Sequence, residues 1–107
     1  MPMNLVELQQ RVDSFVRAYD LQAPPEHRVL DLASEVGELA KEALRSAHYG
    51  SRPFTPTNAW RDEMGDVLFA LICLANTSDV NLESVLLEAI YRLETRKKAG
   101  GPGDSAG

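Results

Sequence analysis

Residues 61–77 read RDEMGDVLFALICLANT, and two kinds of helix meet in that stretch. The second half, Val67 to Ala75, is apolar all the way round, a pattern that suits a helix enclosed by neighbours. The first half carries Glu63 and Asp66, three residues apart and therefore on one face. That face continues through Ala59 upstream and through Ala70, Cys73 and Thr77 downstream, small residues suited to close contact with another helix. The acidic pair thus runs into the buried half of a central helix, where ionised carboxylates are costly without a compensating cation. The reading is a helix over Asn58 to Thr77 at the centre of the fold, capped by Thr57 or Asn58.

Three more helices surround it. Leu5, Leu8, Val12, Phe15, Val16 and Tyr19 recur at three- and four-residue steps and predict an amphipathic helix from Asn4 to Asp20. Two successive prolines end that segment, and Pro25 suits the first turn of the next helix, Glu26 to Ala47. Its apolar stripe is Val29, Leu32, Ala33, Val36, Leu39, Ala40, Ala43 and Leu44. Gly50 to Thr57, with Pro53 and Pro56, reads as a loop, long for a helical hairpin. Asn81 is a good N-cap for a fourth helix, Leu82 to Lys98, with cations toward its C-terminus. Residues 99–107, AGGPGDSAG, read as a disordered tail beyond a single domain of residues 1–98. Nothing alternates with period two for long enough to be a strand. The fold class is all-α, a four-helix, bundle-like domain whose small core is expected to be completed by dimerisation.

The second helix repeats the acidic device. SEVGELAKE, Ser34 to Glu42, places Glu35 and Glu38 one turn apart. At 100 degrees per residue Asp31, Glu35, Glu38 and Glu42 fall within an arc of roughly 60 degrees. Each cluster could be a wet helix face balanced by Lys41, Arg45 and Arg61. Two pairs with the same spacing, one on a helix that is otherwise core, favour a site instead. Set antiparallel, the two helices would gather four oxygen ligands, which suit Mg2+ or Mn2+. Neither His27 nor His48 joins a pair, and no E-x-x-H occurs, which argues against di-iron carboxylate bundles.

Composition narrows the partners. Among 107 residues, 44% are hydrophobic and 25% charged, ordinary for a soluble globular protein, and the formal net charge is -5 with no basic face for nucleic acid. No apolar run is long enough for a membrane span, and the N-terminus lacks the pattern of a signal peptide. One cysteine, Cys73, makes no internal disulfide. A cytoplasmic protein is expected.

SEVGELAKE followed by RDEMGDVLFAL closely resembles the MazG-like branch of the all-alpha nucleoside triphosphate pyrophosphohydrolases, with Gly37 and Gly65 in place. The resemblance implies hydrolysis of nucleoside or deoxynucleoside triphosphates between the α and β phosphates, giving a monophosphate and pyrophosphate. It implies Glu35, Glu38, Glu63 and Asp66 as metal ligands, and a homodimer or a tetramer built of two dimers. The metal is read as Mg2+, with Mn2+ as an alternative, and Glu38 and Asp66 are assigned as the catalytic bridging pair. Trp60 and His27 are candidate contacts for the base. Arg45, Arg92 and Arg96 are candidate contacts for the phosphates. Two departures stand out. Ser34 occupies a position where some members carry an additional Glu, and Ala89 and Leu93 lie where many carry Lys and Asn. A phosphoribosyl-ATP pyrophosphohydrolase, or a helical dimerisation module that keeps the metal face without turnover, are the competing readings. Gly37 and Gly65, which cost roughly 1 kcal/mol each inside a helix, are read as points of close helix approach.

Overall fold

A computed structural model describes residues 2–100. They form four helices, α1 (Leu5–Ala18), α2 (Pro25–Ser46), α3 (Asn58–Thr77) and α4 (Leu82–Gly100), with one 3-10 turn at His48–Gly50 and no strand among the described residues. Each start has a local cause. Asn4 accepts from the Glu7 amide while the Glu7 carboxylate accepts from the Asn4 amide, a reciprocal capping box. Pro24 and Pro25 open α2, where a missing N–H costs nothing. Thr57 Oγ accepts from the Trp60 amide and starts α3. Asn81 accepts from the Ser84 amide and starts α4. The fourth helix runs through Ala99 and Gly100, which the sequence places in the tail; residues 101–107 lie outside the described residues.

The main packing is the hairpin of α2 on α3, with α1 lying on α3. Phe15 of α1 meets Phe69 of α3 edge-on, ring centres 6.0 Å apart. The chain turns by 104° between α3 and α4, so α4 does not fold back along α3 but leans on α1. That corner is held by Gln9 of α1. Its side-chain amide donates to Asn76 Oδ1 (3.0 Å) and to the Val80 carbonyl (2.9 Å), and its oxygen accepts from the Leu82 amide (2.8 Å). Asn76 returns a bond to the Gln9 carbonyl.

The core is thin. Val16, Ala70, Ile72, Cys73 and Ala75 are its buried apolar residues, and no large side chain is fully enclosed. The expectation of an enclosed α3 therefore holds on one side only, because Leu68 is 47% exposed and Leu71 37%. The second helix corrects the reading of its faces more sharply. Its buried residues are Arg28, Glu42 and Ser46, whereas Val29, Val36 and Leu44 of the apolar stripe stay about half exposed. Residues 28, 35, 42 and 46 share one azimuth at 100 degrees per residue, so α2 turns its polar edge toward α3. Gly37 and Gly65 also differ from expectation. A Cβ on either would meet nothing within 4 Å, so among the described residues no other helix approaches them closely. The radius of gyration, 16.9 Å, exceeds the roughly 13 Å of a compact 100-residue domain, because α4 stands away from the hairpin.

Replacing Gln9 by Ala removes three hydrogen bonds and leaves part-buried partners unpaired. It is expected to lower the unfolding free energy by about 2–3 kcal/mol in urea titration, against less than about 0.5 kcal/mol for the exposed neighbour Gln10→Ala.

Candidate metal centre

The polar edge of α2 and the acidic turn of α3 meet in the hairpin. One carboxylate oxygen each from Glu35, Glu63 and Asp66 lies within 4.8 Å of the others. Glu35 and Glu63 are half-buried and Asp66 is exposed. These acids differ from those around them in one respect. Asp31 lies 3.7 Å from Arg28, Glu38 4.0 Å from Lys41, and Glu42 2.9 Å from Arg45. Among the described residues, no Lys, Arg or His pairs with Glu35, Glu63 or Asp66. The three form an unneutralised group in the seam between two helices.

The group's repulsion shows in Glu63. Burial pushes its carboxyl above the ordinary glutamate range, and Asp66, Glu35, Glu38 and Glu42 push it in the same direction. A divalent cation would reverse that balance, and three hard oxygen donors are chemistry suited to Mg2+ or Mn2+. Glu38, read as a fourth ligand, sits on the same side of α2 but outside the group, turned toward Lys41.

Beside the cluster lies a cleft of about 210 Å³ lined by Arg28, Asp31, Ser34 and Glu35 of α2 and by Asp66, Phe69 and Ala70 of α3. Arg28 was not singled out in the sequence. It is 8% exposed, donates Nη2 to the Leu21 carbonyl, and leaves Nε without a partner. The signal that could have found it is its spacing: it precedes Glu35 by seven residues, two turns up the same face.

The candidate substrate residues are spread widely. Arg45 bonds Glu42, and that carboxylate first, then the Tyr49 phenol, strengthens its hold on the proton. Trp60 packs edge-on against Phe54 at 5.0 Å. His27 is exposed in the first turn of α2. Arg92 and Arg96 are exposed on α4, whose main contact is α1, so a single chain does not bring them to the cluster. Cys73, 2% exposed, is a core thiol whose proton is held more firmly by burial.

A family model described as the MazG nucleotide pyrophosphohydrolase domain matches residues 24–100, from the cap of α2 to the end of α4. The chain belongs to the MazG nucleotide pyrophosphohydrolase family. It is 33% identical over 96 residues to the uncharacterized protein YpjD of Bacillus subtilis strain 168, covering 86% of this chain and 85% of that one. The crystal structure of YpjD from Bacillus subtilis, presented as a candidate pyrophosphatase, superposes with a TM-score of 0.74 at 31% identity, over 89% of this chain and 97% of that one. A Bacillus-conserved MazG protein, presented as a nucleotide pyrophosphohydrolase, superposes at 0.73 with 27% identity, over 86% and 90% of the two chains. All three carboxylates of the cluster fall inside the segment that carries the MazG match.

The sign of the Glu63 shift makes a prediction. Its ionised form is disfavoured by the fold, so it penalises stability above its raised folded value. The penalty is absent below its unfolded value of about 4.3. Metal-free Glu63→Gln is expected to melt above the metal-free parent at pH 7, with the difference closing on acidification below about pH 4. Mg2+ at a hundredfold excess over Kd would add about 2.7 kcal/mol to the parent and far less to the variant. Scanning calorimetry reads both. A parent that is the more stable of the two without metal contradicts the account.

Proposed function

We propose that this MazG-family chain is a Mg2+-dependent nucleoside triphosphate pyrophosphohydrolase of the cytoplasm, releasing a nucleoside monophosphate and pyrophosphate from (deoxy)nucleoside triphosphates in nucleotide-pool clearance. The observation that carries the reading is the trio of carboxylates without cationic partners, Glu35, Glu63 and Asp66, in the seam of the α2–α3 hairpin. A triphosphate is strongly anionic and this seam repels it unless a cation stands between them. Glu35, Glu63 and Asp66 would hold the cation, and Glu38 would join them on leaving Lys41. When bound, the cation supplies Lewis acidity toward phosphate oxygens and toward water. The chain itself supplies a rigid three-carboxylate frame on two packed helices, and a side cleft in which Phe69 offers an apolar wall and Asp31 and Ser34 offer polar groups to the nucleotide. Asp66, which belongs both to the cluster and to that cleft, is the group best placed to act on water beside the scissile phosphate, with Glu38 as its partner. Buried, unreactive Cys73 asks for no oxidising compartment.

The working unit in this reading is a homodimer, or a tetramer made of two dimers. Val85, Leu86, Ile90 and Leu93 on α4, with Leu68 and Leu71 on α3, are each 37–53% exposed. Exposed apolar side chains in such number on a thin core are what an obligate homo-oligomer covers. A second chain would also bring an α4, with Arg92 and Arg96, within reach of the seam.

Product analysis tests the reaction. With Mg2+ and a panel of canonical and modified nucleotides, including phosphoribosyl-ATP, pyrophosphate and monophosphate are expected without orthophosphate. Glu63→Gln, Glu38→Gln and Asp66→Asn are each expected to lower kcat by at least about a hundredfold. Orthophosphate as the product, or unchanged rates in all three variants, refutes the assignment.

A further inference from the structure

A second cleft, of about 440 Å³, opens at the other end of the hairpin, where α2 ends, the connector turns and α3 begins. Its character is opposite to that of the metal centre. Arg45, His48 and Arg52 line it, with the hydroxyl residues Ser46, Thr55 and Thr57. In a chain of net charge -5, this gathers two arginines and a histidine on one small surface. The N-terminus of α3 faces the same place, since Thr57 is its cap. The Thr57 hydroxyl oxygen satisfies the Trp60 amide, which leaves the amides of Asn58 and Ala59 without an intrahelical acceptor. A helix start with free amides, flanked by guanidinium groups and hydroxyls, is a place for phosphate oxygens.

Two further features set this cleft apart from an ordinary charged surface. Ser46 is 6% exposed, and its hydroxyl has no hydrogen-bond partner in the wall of the cleft. The connector is also shaped for the purpose. His48, Tyr49 and Gly50 have φ of 47°, 57° and 90°, three left-handed residues in a row, of which two are not glycine. The Gly50 and Arg52 amides both bond the Ala47 carbonyl, and the Ser51 hydroxyl bonds the His48 carbonyl, which holds Arg52 on the same side as Arg45.

We propose that this connector cleft is an oxyanion site for the phosphate groups of a polyphosphate-bearing ligand. Thr57 precedes Glu63 by six residues and Asp66 by nine, about 9 and 14 Å of helix, which sets the cleft apart from the carboxylate cluster. Ser46 follows Glu42 by one turn on the face that α2 turns toward α3. The site itself rests on the residues of the connector. Only the identity of the ligand as a nucleoside triphosphate rests on the function proposed above.

The test uses the full chain in EDTA with inorganic tripolyphosphate as the probe, so that binding does not depend on the metal centre. Calorimetry and amide NMR shifts are the readouts. The expected result is perturbation confined to residues 45–61, with Arg52→Ala weakening binding about tenfold, Arg52→Lys recovering part of it, and Glu63→Gln binding at least as tightly as the parent. Arg52 is exposed, so its variants are expected to keep the parent's circular dichroism. Perturbation centred on Arg92 to Lys98 overturns the proposal, as does binding by Arg52→Ala equal to the parent's. Turnover is scored separately with Mg2+. Tripolyphosphate binding unchanged in Arg52→Ala, with nucleotide turnover present, removes the cleft and leaves the pyrophosphohydrolase standing. Tripolyphosphate binding at the connector without turnover of any nucleotide removes the pyrophosphohydrolase and leaves the anion site.

Discussion

Like charges packed between two helices are the constraint on which this structure turns. A helix ordinarily buries its apolar stripe and gives its carboxylates to water. Here α2 turns Arg28, Glu35, Glu42 and Ser46 toward α3 and leaves Val29, Val36 and Leu44 half open. The hairpin is therefore built around a polar seam. Much of the apolar burial that would repay such a seam is absent from the single chain, and the exposed apolar surface of α3 and α4 is its complement. In the proposed reading, assembly and metal binding would both compensate for this charged seam.

The pairing of charges shows how the seam is tuned. Three acids on the arc of α2 have basic partners of their own, Arg28, Lys41 and Arg45, each one turn away at i,i+3. Such local pairs contribute little to stability, but they decide which carboxylates remain to attract a cation. Those left over, Glu35, Glu63 and Asp66, belong to both helices, so a bound cation would tie α2 to α3. Neutralisation and cross-linking would then be the same event, and burial with the neighbouring carboxylates holds the Glu63 carboxyl above its ordinary range.

Much of this was legible in the sequence, because helix periodicity and capping are local. The apolar periodicity from Asn4, the prolines at 24 and 25, Thr57 and Asn81 mark helix starts within one residue of those observed. The paired acids of α2 and α3 were legible for the same reason, since three-residue spacing sets azimuth. Azimuth does not say which sector meets a neighbour. The burial of Arg28 and Ser46 and the openness around Gly37 and Gly65 depend on how α2 is rotated against α3, a tertiary choice that no window of sequence encodes. The left-handed turn at His48 and Tyr49 was missed because non-glycine residues there carry no turn signature. The course of α4 was missed because the bonds that set it join Gln9 to Asn76, Val80 and Leu82, about seventy positions away in the chain.

The central claim is that the unpartnered carboxylates of the seam form a divalent-metal site, and anomalous diffraction from Mn2+-soaked crystals tests it most directly. The account predicts a Mn2+ peak coordinated by Glu35, Glu63 and Asp66, with the Glu38 carboxylate turned in from Lys41. Manganese bound only elsewhere, with a lysine or arginine side chain of a neighbouring subunit seated among the three carboxylates, would contradict it.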